Sequence, residues 1–389
     1  MKKSKNKILI VGGSFPLPFG GGSINYVCNL LEGLKGYDCT ILTANAEKEN
    51  NKEFDRNYFF KVIRSRYIIS VLSKVKYSYA RTFFNILLAN IVIVCTAIKL
   101  RPKVLYYMDY SYSAIAAIFI HAILRPKIGI FTYAEEITQL KGRMVHDFLF
   151  KQMFSMSSVI YTVSDYTTSL VCTYGDFRDK IVKIIPPVRV DDSETSKDIP
   201  DDKNSVVKIL TVARLEERKG HLFVIDSIVR LHKMFPNIEY NIVGVGSYEE
   251  VIRAKIEELQ ASDYIHLLGK LSNSDLNNIY RDSDIFVMAH VELENGDTEG
   301  CPTVFLEASY HKLPVVGGKA GGVNDAIINN ETGYIVDVYS DELDEAIKRL
   351  IKFPEMRVSM GEKGYNYAKQ FSTVQQGEKL RDTTAKLLL

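Results

Sequence analysis

The sequence predicts an α/β protein made of two parallel-sheet domains, and three observations support this fold class. Short β-branched runs alternate with longer helical patterns, which is the rhythm of βα units whose sheet is covered on both faces. The 389 residues, 46% apolar and 25% charged, are enough for two hydrophobic cores. An aperiodic stretch rich in Pro, Ser and acids, residues 186–205, separates two series of such runs as an interdomain connection would.

The strand-like runs number seven in the first half of the chain and six in the second. Those of the first half are KILIVGG, CTILTA, FFKVIR, KVLYYMD, KIGIFTY, SVIYTVS and VKIIPP. Those of the second half are VVKILTVARL, IEYNIVGVG, YIHLLGKL, DIFVMAH, LPVVGG and GYIVDV. We therefore predict an N-terminal domain over residues 1–189, a C-terminal domain over residues 190–370, and a closing helix over 371–389 that could pack back on the N-terminal domain.

Charge and cysteine usage exclude some classes of function. A formal net charge of +2 and a pI near 8.1 give no general case for nucleic acid binding. The five cysteines are scattered without zinc spacing, which is typical of the reducing cytoplasm. The basic N-terminus precedes an apolar run of only about five residues, so we interpret it as a first strand and not as a signal peptide.

Two segments raise the question of a membrane. The apolar stretch from Phe83 to Leu100 is interrupted by Asn85, Asn90 and Lys99, so we expect a buried core helix in preference to a membrane span. The segment from Lys61 to Phe84 carries several Lys and Arg residues, no acid, and interleaved Tyr, Ile and Leu. It fits peripheral contact with an anionic membrane and, equally, a solvated charged helix.

The stretch VARLEERKG places two cations directly after a predicted strand. Arg214 follows the strand, and Lys219 comes five residues later, just before Gly220 and a helical run. Loops at the carboxyl ends of parallel strands are where such sheets bind ligands. A guanidinium fork and an ammonium can together neutralise a diphosphate. The alternative is an exposed loop with solvated charges.

The stretch EGCPTVFLEA predicts a helix N-terminus. Pro302 suits the first helical position, so Cys301, Pro302, Thr303 and Val304 would offer free amides to an anion. Glu307 would lie more than one turn inside the helix among apolar residues and needs a hydrogen-bonding partner there. A pair of sugar hydroxyls is one such partner.

Glu299 lies before the Gly300 corner and would face the other end of the same ligand. The alternative for Glu299 and Glu307 alike is a salt bridge within the domain.

Three further glycine or acid clusters carry weaker signals. The loop with Gly20, Gly21 and Gly22 follows the first strand and lets backbone approach a phosphate or sugar, although a flexible turn explains it as well. The pair Gly244 and Gly246 is only half of a dinucleotide fingerprint. The acids of RDSD, residues 281–284, read as a turn before a strand and not as a metal site.

Taken together, these residues resemble a family 4 glycosyltransferase (glycosyl transferases group 1) of the GT-B architecture over essentially the whole length. VARLEERKG resembles that family's Arg-Lys phosphate motif, EGCPTVFLEA its E-x7-E signature, and the segment from Gly321 the stretch that follows it. The resemblance implies two Rossmann-like domains facing across a cleft. It also implies a retaining enzyme that needs no metal and no cofactor, with a nucleotide diphosphate-sugar as donor and a UDP-sugar as the expected one.

The resemblance also implies roles for individual residues. Arg214 and Lys219 would hold the diphosphate and, with Glu299 at the donor sugar, form the catalytic group. Glu307 would hold the ribose. The donor site would further comprise the Gly20 to Gly22 loop of the other domain, the helix start at Cys301, Pro302, Thr303 and Val304, and Lys270 and Leu271 near the base.

The N-terminal domain departs from the family pattern. Many relatives have a His after the strand that corresponds to KIGIFTY, and here Tyr133, Glu135 and Glu136 occupy that region. A Tyr can hydrogen-bond a sugar, and either acid could orient an acceptor hydroxyl. These three residues are therefore our candidates for the acceptor side.

The predicted function is sugar transfer to a glycan or lipid-linked saccharide in cell-surface polysaccharide biosynthesis, in the cytoplasm or on the inner face of the cytoplasmic membrane. Two alternatives stay open at this point. A nucleotide-sugar epimerase can share the architecture, and the altered acceptor region would fit a non-catalytic partner subunit. No residue in the sequence selects UDP over GDP or ADP.

Overall fold

The computed structural model describes residues 6–13, 22–45, 50–68, 79–108, 114–188 and 205–389. The chain divides into two compact units. Met1–Pro187 and Thr373–Leu389 form the first unit, and Val188–Ser372 form the second. Each unit is a parallel β-sheet with helices packed against it. The α/β fold class with two Rossmann-like units is therefore confirmed, and each of the thirteen predicted runs overlaps a strand.

The sheet of the first unit has seven parallel strands in the order β3-β2-β1-β4-β5-β6-β7. The strands are β1 Lys7–Gly12, β2 Asp38–Ala44, β3 Lys61–Ser65, β4 Val104–Tyr107, β5 Lys127–Thr132, β6 Val159–Thr162 and β7 Ile181–Lys183. The helices are α1 Gly22–Leu31, α2 Asn50–Asn57, α3 Tyr79–Leu100, α4 Ala114–Leu124, α5 Glu135–Thr138, α6 Met144–Met156 and α7 Asp165–Cys172. The central strands are buried on both faces, as their unbroken apolar runs predict.

The sheet of the second unit has six parallel strands in the order β10-β9-β8-β11-β12-β13. They are β8 Val207–Val212, β9 Ile238–Val243, β10 Ile265–Gly269, β11 Ile285–Met288, β12 Val315–Gly318 and β13 Gly333–Val336. The helices are α8 His221–His232, α9 Glu249–Glu258, α10 Asn273–Asp282, α11 Thr303–Tyr310, α12 Glu342–Lys352 and α13 Pro354–Ala368. The strand order reverses between β8 and β11, where such sheets form a crevice at their carboxyl edge.

The last helix, α14 (Thr373–Leu388), belongs to the first unit and packs on α1. Gly33 lies directly against the backbone of Gly377, where a Cβ would overlap the Gly377 carbonyl. The Tyr106 hydroxyl of β4 is 2.7 Å from the Thr384 hydroxyl of α14, so the helix also contacts the sheet. The close approach of two glycines and a buried pair of hydroxyl groups thus fix α14 on the first unit.

The expectation of a buried core helix over Phe83–Leu100 is wrong. This stretch has a mean hydropathy of 2.1, yet only 17% of it is buried, and by length and composition it could cross a membrane. One side of α3 packs inward through Ile93 and Ala97, whereas Phe83 and Leu87 stay 70% and 47% exposed. The sequence misled because both sides of the helix are apolar, so periodicity does not show which side is covered.

Candidate functional site

The candidate site lies at the carboxyl edge of the second sheet, where β8 and β11 are neighbours. The loop after β8 carries Arg214 to Lys219, and the loop after β11 carries Glu299. Because all strands are parallel, both loops leave the sheet at the same edge. Sheet order thus brings together Lys219 and Glu299, which are 80 residues apart in sequence.

Gly220 holds the end of the β8 loop against the end of β11. Its φ of +69° is left-handed, and a Cβ there would overlap the carbonyl oxygen of Ala289. The carbonyl of the neighbouring Arg218 accepts a hydrogen bond from the amide of Val291 at 2.8 Å. This close backbone contact places Lys219 beside the β11 loop, with its side chain only 10% exposed.

A buried ion network joins the two loops. The Arg218 guanidinium contacts Glu216 at 3.3 Å and Asp297 at 3.2 Å, and it pairs with Glu299. Lys219 pairs with the same Glu299 oxygen. Two cations on one loop are therefore neutralised by carboxylates before any ligand arrives. Glu299 thus forms the salt bridge within its own domain that the sequence offered as the alternative to ligand binding.

The charge state of Lys219 reflects this crowding. Burial and the adjacent Arg218 cation lower the pKa of Lys219 to about 7, against the partial opposition of Glu216. Its protonation is therefore balanced near neutral pH. Any anion placed at this ammonium would favour the charged form and raise the pKa again.

Arg214 differs from the two buried cations. Its side chain is 64% exposed and pairs with Glu216 at 2.5 Å. The guanidinium stands at the accessible side of the network, where a ligand can reach it without breaking the Arg218 contacts. The predicted pair Arg214 and Lys219 thus splits into one exposed and one buried cation.

The β12 loop supports the Glu299 backbone. The amide of Gly322 donates to the Glu299 carbonyl at 2.9 Å. Gly321, with φ +53°, lies so close to that carbonyl that a Cβ would overlap it. Three successive loops of one edge, those after β8, β11 and β12, therefore meet at Glu299.

The helix of EGCPTVFLEA begins one residue later than predicted. Pro302 is the flanking residue with extended ψ of 93°, and Thr303 is the first residue of α11. The prediction of Pro302 at the first helical position is wrong, because the extended chain of the corner continues through it. Cys301 and Pro302 are buried before the helix, and Thr303 and Val304 are half-buried in its first turn.

Glu307 is held by hydroxyl groups. The Tyr280 hydroxyl donates to Oε2 and the Thr303 hydroxyl to Oε1, both at 3.4 Å. Burial raises the pKa of Glu307, and these two hydrogen bonds only partly offset the effect. Both distances are near the upper limit for a hydrogen bond, so the two contacts are weak. The Glu307 carboxylate can therefore still accept hydrogen bonds from other hydroxyl groups.

Two charged or titratable residues of the site escaped the sequence reasoning. Arg218 lies between the two predicted cations and was not singled out, although its place in the same loop was the available signal. His290, fully buried two residues after β11, lies with its ring nitrogens 3.3 Å from the Met288 carbonyl and 3.2 Å from that of Ala320. Burial, with the nearby Lys219 and Arg218 charges, lowers the pKa of His290 to about 4, so the imidazole is neutral.

The residues predicted near a base follow the third strand of this edge. Lys270 is exposed and Leu271 half-buried, directly after β10. One strand, β9, lies between β10 and β8, whose loop carries the cations of the ion network. Lys270 and Leu271 lie at the same edge of the sheet as the ion network but are not part of it.

The predicted acceptor-side residues follow β5 in the first unit. Glu136 is buried, and its Oε1 accepts a hydrogen bond from the Tyr133 amide at 2.8 Å. Between them Ala134 adopts φ +83°, a strained value for a residue with a side chain. Glu135 is half-buried and accepts from the Gln139 side chain at 3.2 Å. Of the predicted glycine loop, Gly20 and Gly21 lie outside the described residues, and Gly22 is the first residue of α1.

Over residues 6–13, 22–45, 50–68, 79–108, 114–188 and 205–389, no three His, Cys, Asp or Glu side chains converge so as to hold a metal ion.

Comparison with known proteins supports the family resemblance. Residues 192–367 match the family described as Glycosyl transferases group 1. The putative colanic acid biosynthesis glycosyltransferase WcaL of Escherichia coli K12 is 25% identical over 214 residues, which cover 55% of this chain and 52% of that protein. A GDP-mannose-dependent monoacylated alpha-(1-6)-phosphatidylinositol monomannoside mannosyltransferase of Corynebacterium glutamicum is 30% identical over 190 residues, or 46% of this chain and 49% of the relative. The chain thus spans about half the length of the curated relatives it matches.

Solved structures extend the fold similarity to the whole chain. HepE of Anabaena in complex with UDP aligns with a TM-score of 0.75 at 15% identity, covering 98% of this chain and 100% of that one. The sucrose-phosphate synthase of Thermosynechococcus elongatus aligns with a TM-score of 0.78 at 15% identity, covering 98% and 99%. At such identities the likeness supports the fold, and it agrees with the GT-B architecture expected from the sequence.

Proposed function

We propose, from the membership of residues 192–367 in the glycosyl transferases group 1 family, that this chain transfers a sugar from a nucleotide diphosphate-sugar to a saccharide acceptor. One observation carries the proposal. Arg214, Arg218 and Lys219 converge with Glu299 at the carboxyl edge where the strand order reverses. That edge is the expected ligand position of an open parallel sheet.

The ion network suggests how a diphosphate enters. Arg218 and Lys219 are neutralised by Glu299, so an incoming diphosphate competes with this carboxylate for the same cations. Phosphate oxygens accept from a guanidinium fork and an ammonium as well as a carboxylate does. Exchange of partners would release Glu299 toward the sugar attached to the diphosphate, and the exposed Arg214 would meet the phosphates first.

Bond cleavage places its main demand on these cations. Negative charge grows on the diphosphate as the bond between anomeric carbon and phosphate oxygen breaks, and preorganised donors stabilise that charge most. The departing phosphate can accept the proton of the acceptor hydroxyl on the same face of the sugar, which retains the anomeric configuration. Under this proposal the protein's own cations and the first amides of α11 hold the leaving group, without a metal.

The donor class and acceptor class are part of the proposal. HepE is described with UDP, and the Corynebacterium glutamicum mannosyltransferase is named as GDP-mannose-dependent, so we take a UDP-sugar as the first donor and GDP-mannose as the rival. WcaL is named for colanic acid, and the mannosyltransferase for a phosphatidylinositol monomannoside. We infer a glycan or lipid-linked saccharide acceptor, in polysaccharide biosynthesis at the cytoplasmic face of the membrane.

The first experiment identifies the donor by thermal stabilisation. A ligand that binds only the folded chain raises its melting temperature by mass action, so a panel of UDP-, GDP- and ADP-sugars should single out one nucleotide. With that donor, transfer to saccharide acceptors is followed by mass spectrometry, and NMR of the product reports the anomeric configuration. Comparison with and without EDTA tests metal independence.

Three results would point elsewhere. Conversion of the donor in the absence of any acceptor would identify an epimerase. Lack of stabilisation by every nucleotide-sugar would favour the non-catalytic partner subunit. Equal transfer by wild type and Lys219→Met, with the fold intact, would show that the ion network does not hold the diphosphate.

A further inference from the structure

The first unit carries an exposed apolar surface on three adjacent helices. Helix α4 packs between α3 and α6. Half of the twenty exposed large apolar side chains in the described parts of the chain lie on these helices. They are Phe83, Phe84, Leu87, Ile91 and Ile98 of α3, Phe119 and Ile123 of α4, and Met144, Val145 and Phe148 of α6. We call this surface the apolar face; contiguous surfaces of this kind mark interaction sites.

Helix α3 is anchored beneath the apolar face. Asn90, 8% exposed, accepts a hydrogen bond from the Ala116 amide of α4 at 2.6 Å and donates to the Ile86 carbonyl at 2.7 Å. Ile93 and Ala97 are fully buried on the same side. If α3 crossed a bilayer, it would leave these contacts and strip Asn90 of its α4 partner. The helix is therefore built to stay on the unit with its other side exposed.

Cations border the apolar face. Between residues 61 and 134 the sequence has eleven Lys or Arg and a single acid, Asp109. Helices α3 and α4 contain no acid at all. Exposed cations stand at the ends of the three helices: Lys99 in the last turn of α3, Arg101 and Lys103 after it, Arg125 and Lys127 after α4, and Lys141 and Arg143 before α6. The acid of α6, Asp147, is engaged by the Tyr174 hydroxyl at 2.8 Å.

We propose that the apolar face docks on an anionic lipid bilayer, with α3 lying in the interface and not crossing it. Interfacial binding requires apolar side chains on one surface with Lys and Arg at its border. The free energy of burying the apolar side chains and the attraction of the cations to anionic lipids add. A surface that binds only protein has no need for a border of one charge sign.

The placement deepens the proposed function, on which its biological role rests. Strand β5 ends at Thr132 and leads through the short helix α5 into α6, so Met144, Val145 and Phe148 lie toward the same edge of the sheet as Tyr133 and Glu135. A lipid-linked acceptor held in the bilayer would thus reach the candidate acceptor side from the docked face. The helices α3, α4 and α6 share this direction, since each leads into the amino end of a strand.

Flotation with vesicles of phosphatidylcholine, alone or mixed with phosphatidylglycerol, tests the docking without any donor. The full chain should bind the mixed vesicles and release from them in high salt. The variant Phe83→Ser/Phe119→Ser/Phe148→Ser changes side chains that are 70%, 57% and 59% exposed. It should fold normally and bind about tenfold more weakly or worse. The variant Lys99→Glu/Lys103→Glu/Lys127→Glu should lose the preference for phosphatidylglycerol.

A matched control changes apolar side chains outside the face. The variant Met234→Ser/Val251→Ser/Val374→Ser removes side chains that are 55%, 43% and 69% exposed and should bind vesicles like wild type. Equal binding by the apolar-face variant, or no binding by wild type, would refute the docking. So would a lipid-free dimer, seen by light scattering, that the apolar-face variant converts to monomers, because a second copy would then cover the face. Retention of bound protein after an alkaline carbonate wash would instead show a spanning helix. None of these readouts depends on sugar transfer.

Discussion

Arg218 and Glu299 form an ion pair across the point where the strand order of the second sheet reverses. The arginine comes from the loop after β8 and the glutamate from the loop after β11. Lys219 shares the same carboxylate, and Asp297 and Glu216 complete the surroundings of the guanidinium. The pair therefore holds the two loops together. Glu299 neutralises the cations of the β8 loop until a ligand replaces it.

Removing the arginine should destabilise the fold. Arg218→Met leaves the half-buried Glu216, Asp297 and Glu299 without their shared, buried cation, and breaking a buried ion pair in this way costs about 3–5 kcal/mol. Urea unfolding of the second unit measures the loss. Arg214→Met is the matched control because its side chain is 64% exposed. It should cost less than about 1 kcal/mol while still lowering donor affinity. Equal stability of the two variants would mean that Arg218 does not clamp the loops.

Donor binding should take up a proton near pH 8. The pKa of Lys219 is lowered to about 7, so at about pH 8 the Lys219 amine of the free protein is largely uncharged. A bound diphosphate favours the ammonium and raises this pKa, so the complex gains a proton that the free protein lacked. Calorimetry of nucleotide binding in buffers of different ionisation enthalpy measures the uptake. Lys219→Arg, whose side chain stays charged, should bind with little uptake; an unchanged uptake would assign the proton to another group.

Glu307→Gln should weaken nucleotide binding through the ribose. A hydrogen bond to a charged group contributes about 1.5–3 kcal/mol, so the affinity for the donor nucleotide should fall about tenfold to a hundredfold. The loss should disappear when wild type and variant are compared with the 2′,3′-dideoxy nucleotide, because the hydroxyl partners are then absent from both. A loss of the same size with the dideoxy compound would place Glu307 elsewhere on the ligand.

The same substitution should stabilise the ligand-free protein at neutral pH. Burial raises the pKa of Glu307 in the folded state above its ordinary value of 4.5. A raised acid pKa means that the folded state binds the proton more tightly, so stability falls as pH rises from 4.5 through the folded-state pKa. Gln removes this penalty. Wild type and Glu307→Gln should therefore have similar melting temperatures at acidic pH and diverge at neutral pH, with the variant higher; convergence at neutral pH would contradict a desolvated carboxylate.

Gly220→Ala should damage the site by displacing Lys219. Gly220 and Gly269 have nearly equal left-handed φ values of +69° and +66°, so an alanine brings the same backbone strain to both. They differ in space, since a Cβ at Gly220 would overlap the Ala289 carbonyl and one at Gly269 meets nothing within 4 Å. Gly220→Ala should thus lose clearly more unfolding free energy than Gly269→Ala, and donor binding with it. Equal losses would show that the β8 loop moves away from the Ala289 carbonyl without a further loss of unfolding free energy.

The order of elements was predictable because it depends on local patterns. Each strand of the second sheet is a short apolar run, and the predicted Arg214, Lys219 and Glu299 lie in loops that follow such runs. The loops after β8 and β11 could therefore be singled out as candidates from VARLEERKG and EGCPTVFLEA. The start of α11 was misplaced by one residue, because Pro302 is compatible with both the extended corner and the first helical turn.

The amino-acid sequence alone thus determined the two series of βα units and the residues at their carboxyl ends, since alternation and spacing act over a few residues. Only the tertiary structure decided that Glu299 pairs with Lys219 and Arg218, that Glu307 is held by Tyr280 and Thr303, and that α3 leaves one apolar side exposed. The reason is distance along the chain. Partners 80 residues apart meet only when the strand order makes β8 and β11 neighbours, and which side of an all-apolar helix is covered depends on what packs against it.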